Sequence, residues 1–198
     1  MSSDKLHFET LQIHGGYHVD QSQARGIAIH PTAAYHFPSC DYAANLFTLS
    51  EPGYIYTRLH NPTTAAYEER IAALYGGVGA LATSSGMSAI LLTVTSLAKQ
   101  GDNIVTSPYL YGGTHNQFVI SLRNLGIDCR MAASDNAQDM AGLIDDKTRA
   151  IFVESMGNPT CRVADIEALA ELAHSHNIPL VVDNTFGAGG YLCNPFDW

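Results

Sequence analysis

The sequence predicts an α/β fold: a mainly parallel sheet with helices on both faces, preceded by an extended N-terminal arm. From residue 61 onward, five short apolar segments alternate with segments of helical periodicity. The apolar segments are mostly bounded by Gly, Pro, Ser or Asn, as strands usually are. Strands joined through helices form right-handed βαβ units, which keep the strands parallel and cover both faces of the sheet.

The elements after residue 60 follow from local patterns. Asn61 is a good N-cap, Pro62 suits the first helical position and Gly76 closes that helix. Apolar content and turn residues predict the rest. We expect strands over 79–85, 102–107, 128–134, 148–155 and 179–184, and helices over 86–100, 113–126, 136–144 and 164–177.

Residues 1–60 are predicted to form the arm. They are rich in Gly, Pro, Ser and aromatic residues and show no sustained period, apart from one short helix expected over 40–50. Such a segment buries little of itself, so we expect it to lie on a neighbouring subunit. The predicted division is therefore an arm over 1–60 and the first part of an α/β domain over 61–198.

Composition excludes several classes of protein. The 198 residues carry a net charge of −9 with only 10 Lys and Arg, which argues against a nucleic-acid or anionic-membrane surface. No apolar run approaches the roughly 18 residues of a membrane span, and the N-terminus has no apolar signal region. The cysteines are scattered, so we expect reduced thiols in the cytoplasm and no metal site.

The strand-to-helix turns are where ligands bind in open α/β sheets. The turn TSSGM runs into a helix, whose free N–H groups and positive dipole end attract anions, and Gly86 permits close approach. The hydroxyls of Ser84, Ser85 and Ser88 add donors. An ordinary serine cap with a packing glycine is an equal alternative. No GxxxxGK or GxGxxG motif is present, so a single phosphate fits better than a nucleotide.

Two further turns carry groups that suit a flat ring. Tyr109 and Tyr111 stand beside a glycine pair, where an aromatic face can stack on a ligand or simply pack under a loop. Glu154 and Asn158 follow an apolar strand, where Asn158 can hydrogen-bond a ring substituent with Glu154 in support. Turn formation by Asn158 and the proline after it is the alternative.

Asp183 ends the last apolar strand, and an ionised carboxylate there costs several kcal/mol unless it is paired. Solvent, a neighbouring arginine or the N-terminus of the next helix could pair with it. So could a protonated nitrogen of a heteroaromatic cofactor. Only the cofactor accounts for all four turns together, and the combination of phosphate, ring, ring oxygen and pyridine nitrogen describes pyridoxal phosphate.

Five motifs, YIYTRLHNPT, ATSSGM, LYGGT, ESMGNPT and VVDNTFG, occur in this order. The set resembles the Cys/Met-metabolism family of pyridoxal-phosphate enzymes, over essentially the whole chain. HFETLQIHGGY and AANLFTL are most similar to its O-acetylhomoserine sulfhydrylase branch. Gly113 supports this branch weakly, because the methionine γ-lyase branch typically has a cysteine there. The resemblance implies an incomplete large domain of fold type I.

The resemblance also implies roles for individual residues. Tyr111 would stack on the pyridoxal ring and take part in proton transfer, and Asp183 would keep the pyridine nitrogen protonated. Ser85, Gly86 and Met87 would hold the phosphate. The other expected contacts come from Asn158 and Glu154 near the ring oxygen, Thr185 on the protein face of the ring, and Tyr56 with Arg58, which would reach the phosphate of a neighbouring subunit.

The activity implied is replacement of the acetate of O-acetylhomoserine by sulfide or methanethiol, in a cytoplasmic homotetramer built as a dimer of dimers. The family holds its cofactor on a lysine in a Ser-x-Thr-Lys segment, and neither Lys5, Lys99 nor Lys147 fits that role. We therefore expect the chain to be the N-terminal half of the enzyme and inactive alone. The alternatives are γ-lyase or cystathionine γ-synthase activity, a non-catalytic truncated partner and, with little support, a nucleotide-dependent oxidoreductase.

Overall fold

A computed structural model describes residues 6–198, so Lys5 lies outside the described residues. The chain forms two compact units that divide between Ala82 and Thr83. Within residues 6–82, the first unit contains three helices: α1 (Phe8–His14), α2 (Cys40–Phe47) and α3 (Pro62–Tyr75). Of these, α2 corresponds to the short helix predicted in the arm, whereas α1 has no counterpart in the prediction.

Helix α3 has the predicted ends. The Asn61 side chain accepts a hydrogen bond from the Thr63 backbone N–H at 2.9 Å. Gly76 ends the helix with a φ of 67°, a left-handed conformation that favours glycine. Capping at both ends therefore fixes this helix where the local sequence places it.

The extended residues before α3 are held by side chains of that helix. Arg70 donates from Nε to the Gly15 carbonyl at 2.7 Å. The Thr63 hydroxyl donates to the Ala28 carbonyl at 3.0 Å and accepts from the His30 N–H at 2.9 Å. The predicted boundary at residue 60 thus falls inside a unit that extends to Ala82. Contact of this arm with a neighbouring subunit stays a prediction.

The second unit is the α/β domain. Its helices are α4 (Gly86–Leu97), α5 (Gly112–Asn116), α6 (Ala137–Ala141) and α7 (Ile166–Ser175), and a π-helical turn (Gln117–Leu122) continues α5. Its strands are β1 (Asn103–Thr106), β2 (Asp128–Met131), β3 (Thr148–Glu154) and β4 (Leu180–Asp183). Two short 3-10 segments follow β4, over Thr185–Gly190 and Pro195–Asp197.

The strand predicted over residues 79–85 is wrong, because these residues are irregular and pair with no strand of the described sheet. Instead, the Glu68 carboxylate accepts the backbone N–H of Ala82 at 2.7 Å. An apolar segment becomes a strand only where a neighbouring strand pairs with its backbone groups, and here the Ala82 N–H is bonded to a side chain instead.

The sheet confirms the predicted fold class. Its four strands run parallel in the order β2-β1-β3-β4. Side chains alternate between two cores: Ile104 and Phe152 pack with residues of α4 and the π-helical turn, whereas Val105, Ile151 and residues of α6 and α7 form the second. Helices therefore cover both faces.

The strand order reverses at β1, since the chain adds β2 on one side of it and β3 on the other. The loops after β1 and β3 consequently leave the sheet in opposite directions and open a crevice at its carboxyl edge. None of the helices in the described part of the chain is long and apolar enough to cross a membrane. The described residues also contain no cluster of His, Cys, Asp and Glu that could hold a metal ion.

The opposite edge of the sheet carries ion pairs that should make stability depend on pH. A hydrogen bond from Asn103 and the ion pair with Arg130 hold the pKa of Asp145 well below its usual range. A lowered folded pKa means that the stabilisation is complete above about pH 5 and is lost as the pH falls through the unfolded value of about 3.9 and below.

We therefore expect Asp145→Asn to lower the melting temperature at pH 7, with the difference from wild type shrinking below about pH 4. Thermal unfolding monitored by circular dichroism across this range measures it. The neighbouring substitution Asp146→Asn is the control, since no described hydrogen bond involves its side chain. A loss that is constant at every pH would contradict the assignment.

Candidate cofactor-binding site

A cleft of about 300 Å³ lies at the carboxyl edge of the sheet, within the second unit. The loops after β1, β3 and β4 form its walls, and the N-terminus of α4 contributes one end. Eight of the residues predicted from the sequence line it: Ser85, Gly86, Met87, Tyr111, Glu154, Asn158, Asp183 and Thr185. Their roles toward a cofactor stay predictions.

The N-terminus of α4 offers an open anion site. The Ser85 hydroxyl caps the helix by accepting the Ser88 N–H at 3.1 Å. A Cβ added at Gly86 would meet no heavy atom within 4 Å, so this glycine faces open space and does not pack against a neighbour. The interpretation of Gly86 as a packing glycine is thereby disfavoured, and the first-turn N–H groups remain approachable.

Only one of the two candidate tyrosines lines the cleft. The Tyr111 side chain is 51% exposed there, and its backbone N–H donates to Glu154 Oε1 at 2.7 Å. The Tyr109 ring instead lies 4.7 Å below the guanidinium of Arg162. Tyr111 is therefore the ring available to stack on a ligand.

A glycine next to Tyr111 gives its ring room. A Cβ added at Gly113 would lie 2.5 Å from Cε1 of Tyr111 and 3.3 Å from the sulfur of Met87. The φ of Gly113 is not positive, so its backbone conformation does not require glycine. Glycine is needed here because a side chain would collide with the Tyr111 ring. The ring occupies the volume that a side chain would need.

Two carboxylates stand side by side at the strand ends. Glu154 and Asp183 are register partners in the pairing of β3 with β4. Burial raises the pKa of Glu154, the charge of Asp183 raises it further, and hydrogen bonds from the backbone N–H groups of Tyr111 and Asn158 oppose both. Glu154 thus ties the Tyr111 turn to the Asn158 turn, and its supporting role toward a cofactor stays a prediction.

Asp183 has local hydrogen-bond donors but no described cationic partner. Its Oδ1 accepts from the Thr185 backbone N–H at 3.1 Å and from the Thr185 hydroxyl at 2.5 Å. No ion pair joins it to an arginine or lysine of residues 6–198. The backbone N–H at the start of the next helical segment is therefore one hydrogen-bond donor to Asp183. The other predicted partner, a neighbouring arginine, is not found among residues 6–198.

Four lining residues escaped the sequence prediction: Ile90, Thr114, Met156 and Phe186. Thr114 is fully buried, and its hydroxyl has no hydrogen-bond partner within the described structure. Thr114 lies three residues after Tyr111, and this spacing puts two side chains on the same face of a helix. The spacing could therefore have predicted that Thr114 lines the cleft with Tyr111.

The remaining predicted residues lie elsewhere. Tyr56 and Arg58 belong to the first unit, where the guanidinium lies 5.2 Å from the centre of the tyrosine ring. Lys99 and Lys147 precede β1 and β3, at the amino edge of the sheet. Neither lysine lines the cleft, as expected from the sequence.

Comparison with known proteins decides the family. The model of the family described as Cys/Met metabolism PLP-dependent enzyme matches residues 9–198. The chain belongs to this family. Pyridoxal phosphate (PLP) is therefore the cofactor against which the cleft has to be tested.

The curated relatives that the chain matches have names that agree with this family. Homocysteine synthase of Schizosaccharomyces pombe is 50% identical over 198 residues, which are 100% of this chain and 46% of that protein. O-acetyl-L-homoserine sulfhydrylase 1 of Thermus thermophilus is 50% identical over 195 residues, covering 98% of this chain and 46% of its own length. The chain thus spans less than half the length of these relatives.

Among solved structures, an O-acetylhomoserine (thiol)-lyase from Campylobacter jejuni superposes with a TM-score of 0.94 at 37% identity. The superposition covers 98% of this chain and 47% of that chain. That protein carries a pyridoxyl-lysine monophosphate. The similarity supports the fold type I architecture directly.

The cleft fits PLP by the chemistry of its lining. The approachable N–H groups of α4 suit a phosphate, the exposed Tyr111 ring suits an aromatic face, and Asp183 lacks a described cation of its own. The unpartnered hydroxyl of Thr114 adds a polar group at the wall.

The room beside the Tyr111 ring generates a prediction. Gly113→Ala should displace this ring and weaken PLP binding about three- to tenfold, because an aromatic stack is worth ~0.5–1.5 kcal/mol. A fluorescence titration of the whole protein with PLP measures the affinity.

The matched control is Gly112→Ala, whose added Cβ would meet nothing within 4 Å. Its affinity should equal that of wild type. Equal losses in the two variants would show that the effect comes from the backbone of α5, not from the ring.

Proposed function

We propose that residues 1–198 form the cofactor-binding part of a PLP-dependent O-acetylhomoserine sulfhydrylase. The observation that carries this proposal is the cleft, which combines a free helix N-terminus, an exposed tyrosine ring and an acid without a described cationic partner. The names of the relatives support the branch, since both describe sulfhydrylase or homocysteine synthase activity.

In this proposal the phosphate lies at the start of α4. The N–H groups of Gly86 and Met87 donate to it, and the Ser85 hydroxyl fixes the turn by capping the helix. The open space above Gly86 lets the phosphate approach the backbone closely. The helix dipole adds to the attraction.

The residues that would hold the ring are Tyr111 on one side and those at the strand ends on the other. Bound PLP supplies an electron sink that stabilises carbanions next to the reacting amine. Asp183 holds a proton on the pyridine nitrogen, because its charge is otherwise unpaired among the described residues. Thr185 fixes the Asp183 carboxylate with two hydrogen bonds, so the charge points at one place.

Tyr111 and Asn158 position the ring from its other sides. The backbone of Tyr111 is held by Glu154, so its ring keeps a defined place over the cleft while the hydroxyl stays accessible for proton transfer. Asn158 lines the cleft beside the same carboxylate, where it would donate to the ring oxygen. Burial raises the pKa of Glu154, and the neighbouring charge of Asp183 raises it further.

The substrates proposed are O-acetylhomoserine and sulfide or methanethiol, and the products are acetate with homocysteine or methionine. The whole protein is proposed to be a cytoplasmic homotetramer, in which Tyr56 and Arg58 reach the phosphate bound by a neighbouring subunit. The four cysteines are unpaired, which suits a reducing compartment. The rigid fork of Arg58 is suited to two phosphate oxygens.

Product analysis of the whole protein tests the function. With PLP and O-acetylhomoserine, homocysteine should form only when sulfide is added. Asp183→Asn should keep the Thr185 contacts in place but lower kcat by about a hundredfold or more, because removing a preorganised charge costs on that order.

Asp165→Asn provides a matched control, since aspartate and asparagine cap helices equally well and Asp165 caps α7. It should leave turnover unchanged. Release of an oxo acid and ammonia without sulfide would establish a γ-lyase instead. Near-normal turnover by Asp183→Asn would remove the assigned role of that acid.

The proposed role of Arg58 can be tested in mixed oligomers. Arg58→Ala should weaken PLP retention, measured by dialysis and absorbance. Mixing it with an Asp183→Asn subunit should restore sites whose phosphate contact comes from the intact Arg58 of the other chain. Failure to restore activity in the mixture would place Arg58 at the phosphate of its own subunit.

A further inference from the structure

Three loops at the carboxyl edge of the sheet converge on Arg162, which lies outside the cleft. Its Nε donates to Asp135 Oδ2 at 3.1 Å, and its terminal nitrogen Nη2 donates to Asp135 Oδ1 at 2.8 Å. Arg162 follows β3 and Asp135 follows β2, and these strands lie on opposite sides of β1. The side chain therefore spans the loop that follows β1.

The guanidinium of Arg162 also contacts the loop that follows β1. Arg162 lies 4.7 Å from the centre of the Tyr109 ring, within the range of a cation–π contact. Arginine makes this contact while keeping its in-plane fork on a carboxylate, which lysine cannot do. The Arg162 side chain thus contacts Asp135 in the loop after β2 and Tyr109 in the loop after β1.

Backbone packing completes the arrangement. The Gly157 N–H donates to the Arg162 carbonyl at 2.8 Å, which closes the loop between them. A Cβ added at Gly157 would lie 2.7 Å from the Tyr109 carbonyl oxygen and 3.0 Å from its Cβ. The β3 loop therefore rests directly on the β1 loop, with no space for a side chain between them.

Each of the joined segments is next to a cleft residue. Asn158 follows Gly157, and Tyr111 comes two residues after Tyr109. Glu154 joins Tyr111 and Asn158 from the cleft side. On the outer side, the corresponding link is made by Arg162, Asp135 and Tyr109, which we call the loop latch.

We propose that Arg162 is a positioning residue: through the loop latch it sets the distance between Tyr111 and Asn158, and hence the seat of the PLP ring. This inference rests on the proposed function, because the ring is the ligand being seated. Neither the sequence motifs nor the cleft itself includes Arg162.

A second ion pair of the same kind supplies a control. Arg149 donates to Asp102 Oδ1 at 2.9 Å, at the amino edge of the sheet. The arginine side chains are 41% and 51% exposed in the Arg149 and Arg162 pairs, and their aspartate side chains are 7% and 8% exposed. The two pairs are matched in burial, although Arg162 contacts both aspartate oxygens and Arg149 only one, and only the Arg162 pair touches the cleft loops.

The experiment compares Arg162→Met with Arg149→Met in the whole protein. Both should lower the melting temperature, because each leaves a buried carboxylate unpaired. Only Arg162→Met should also weaken PLP binding, by about tenfold or more, because small misplacements of binding groups cost up to about a hundredfold. The circular dichroism induced in bound PLP should change in Arg162→Met alone, since it reports how the ring is held.

Arg162→Lys keeps the positive charge but lacks the forked guanidinium, so its PLP affinity and its induced dichroism should lie between those of wild type and Arg162→Met. If Arg162→Met fails to fold, the comparison with Arg149→Met is made with Arg162→Lys. Equal affinity and equal induced dichroism in the Arg162 and Arg149 variants would overturn the loop latch while leaving the proposed function standing. A wild-type protein that does not bind PLP would overturn the proposed function itself, and the seating role with it.

Discussion

The candidate site depends on the parallel, in-register pairing of β3 with β4. This pairing sets Glu154 beside Asp183, and the sheet order brings the loop after β1 to the same edge. A slip of one residue between β3 and β4 would turn one of the two acids to the other face of the sheet. The apolar residues on both faces therefore fix the chemistry of the cleft, because burying them specifies the register.

Two acids at one edge would repel each other unless the fold treated them differently. Glu154 is buried, accepts backbone N–H groups and has a raised pKa. Asp183 is partly buried, and its carboxylate accepts hydrogen bonds from the backbone N–H and the hydroxyl of Thr185. The cleft thus places an acid held by local hydrogen bonds beside a second, buried acid, an arrangement that supports the proposed contact with a cationic ring nitrogen.

The sequence predicted most of this arrangement because its information is local. Apolar runs and the caps of α3 located four strands and the main helices, and turn residues located the edge of the sheet. The segment over 79–85 failed because strand formation depends on a partner, which apolarity alone does not supply. The choice between Tyr109 and Tyr111 was equally beyond local patterns, since it depends on where Arg162 lies after folding.

The distribution of ion pairs gives the strongest argument about the site. At the amino edge of the sheet, Asp102 and Asp145 pair with Arg149 and Arg130. At the carboxyl edge, Asp135 lies outside the cleft and pairs with Arg162, whereas Asp183 inside it pairs with no described arginine or lysine. Among the described residues, these three acids outside the cleft are therefore paired with arginines, whereas Asp183 is not. Since leaving a charge unpaired costs stability, this contrast supports the proposal that a cationic ligand pairs with Asp183.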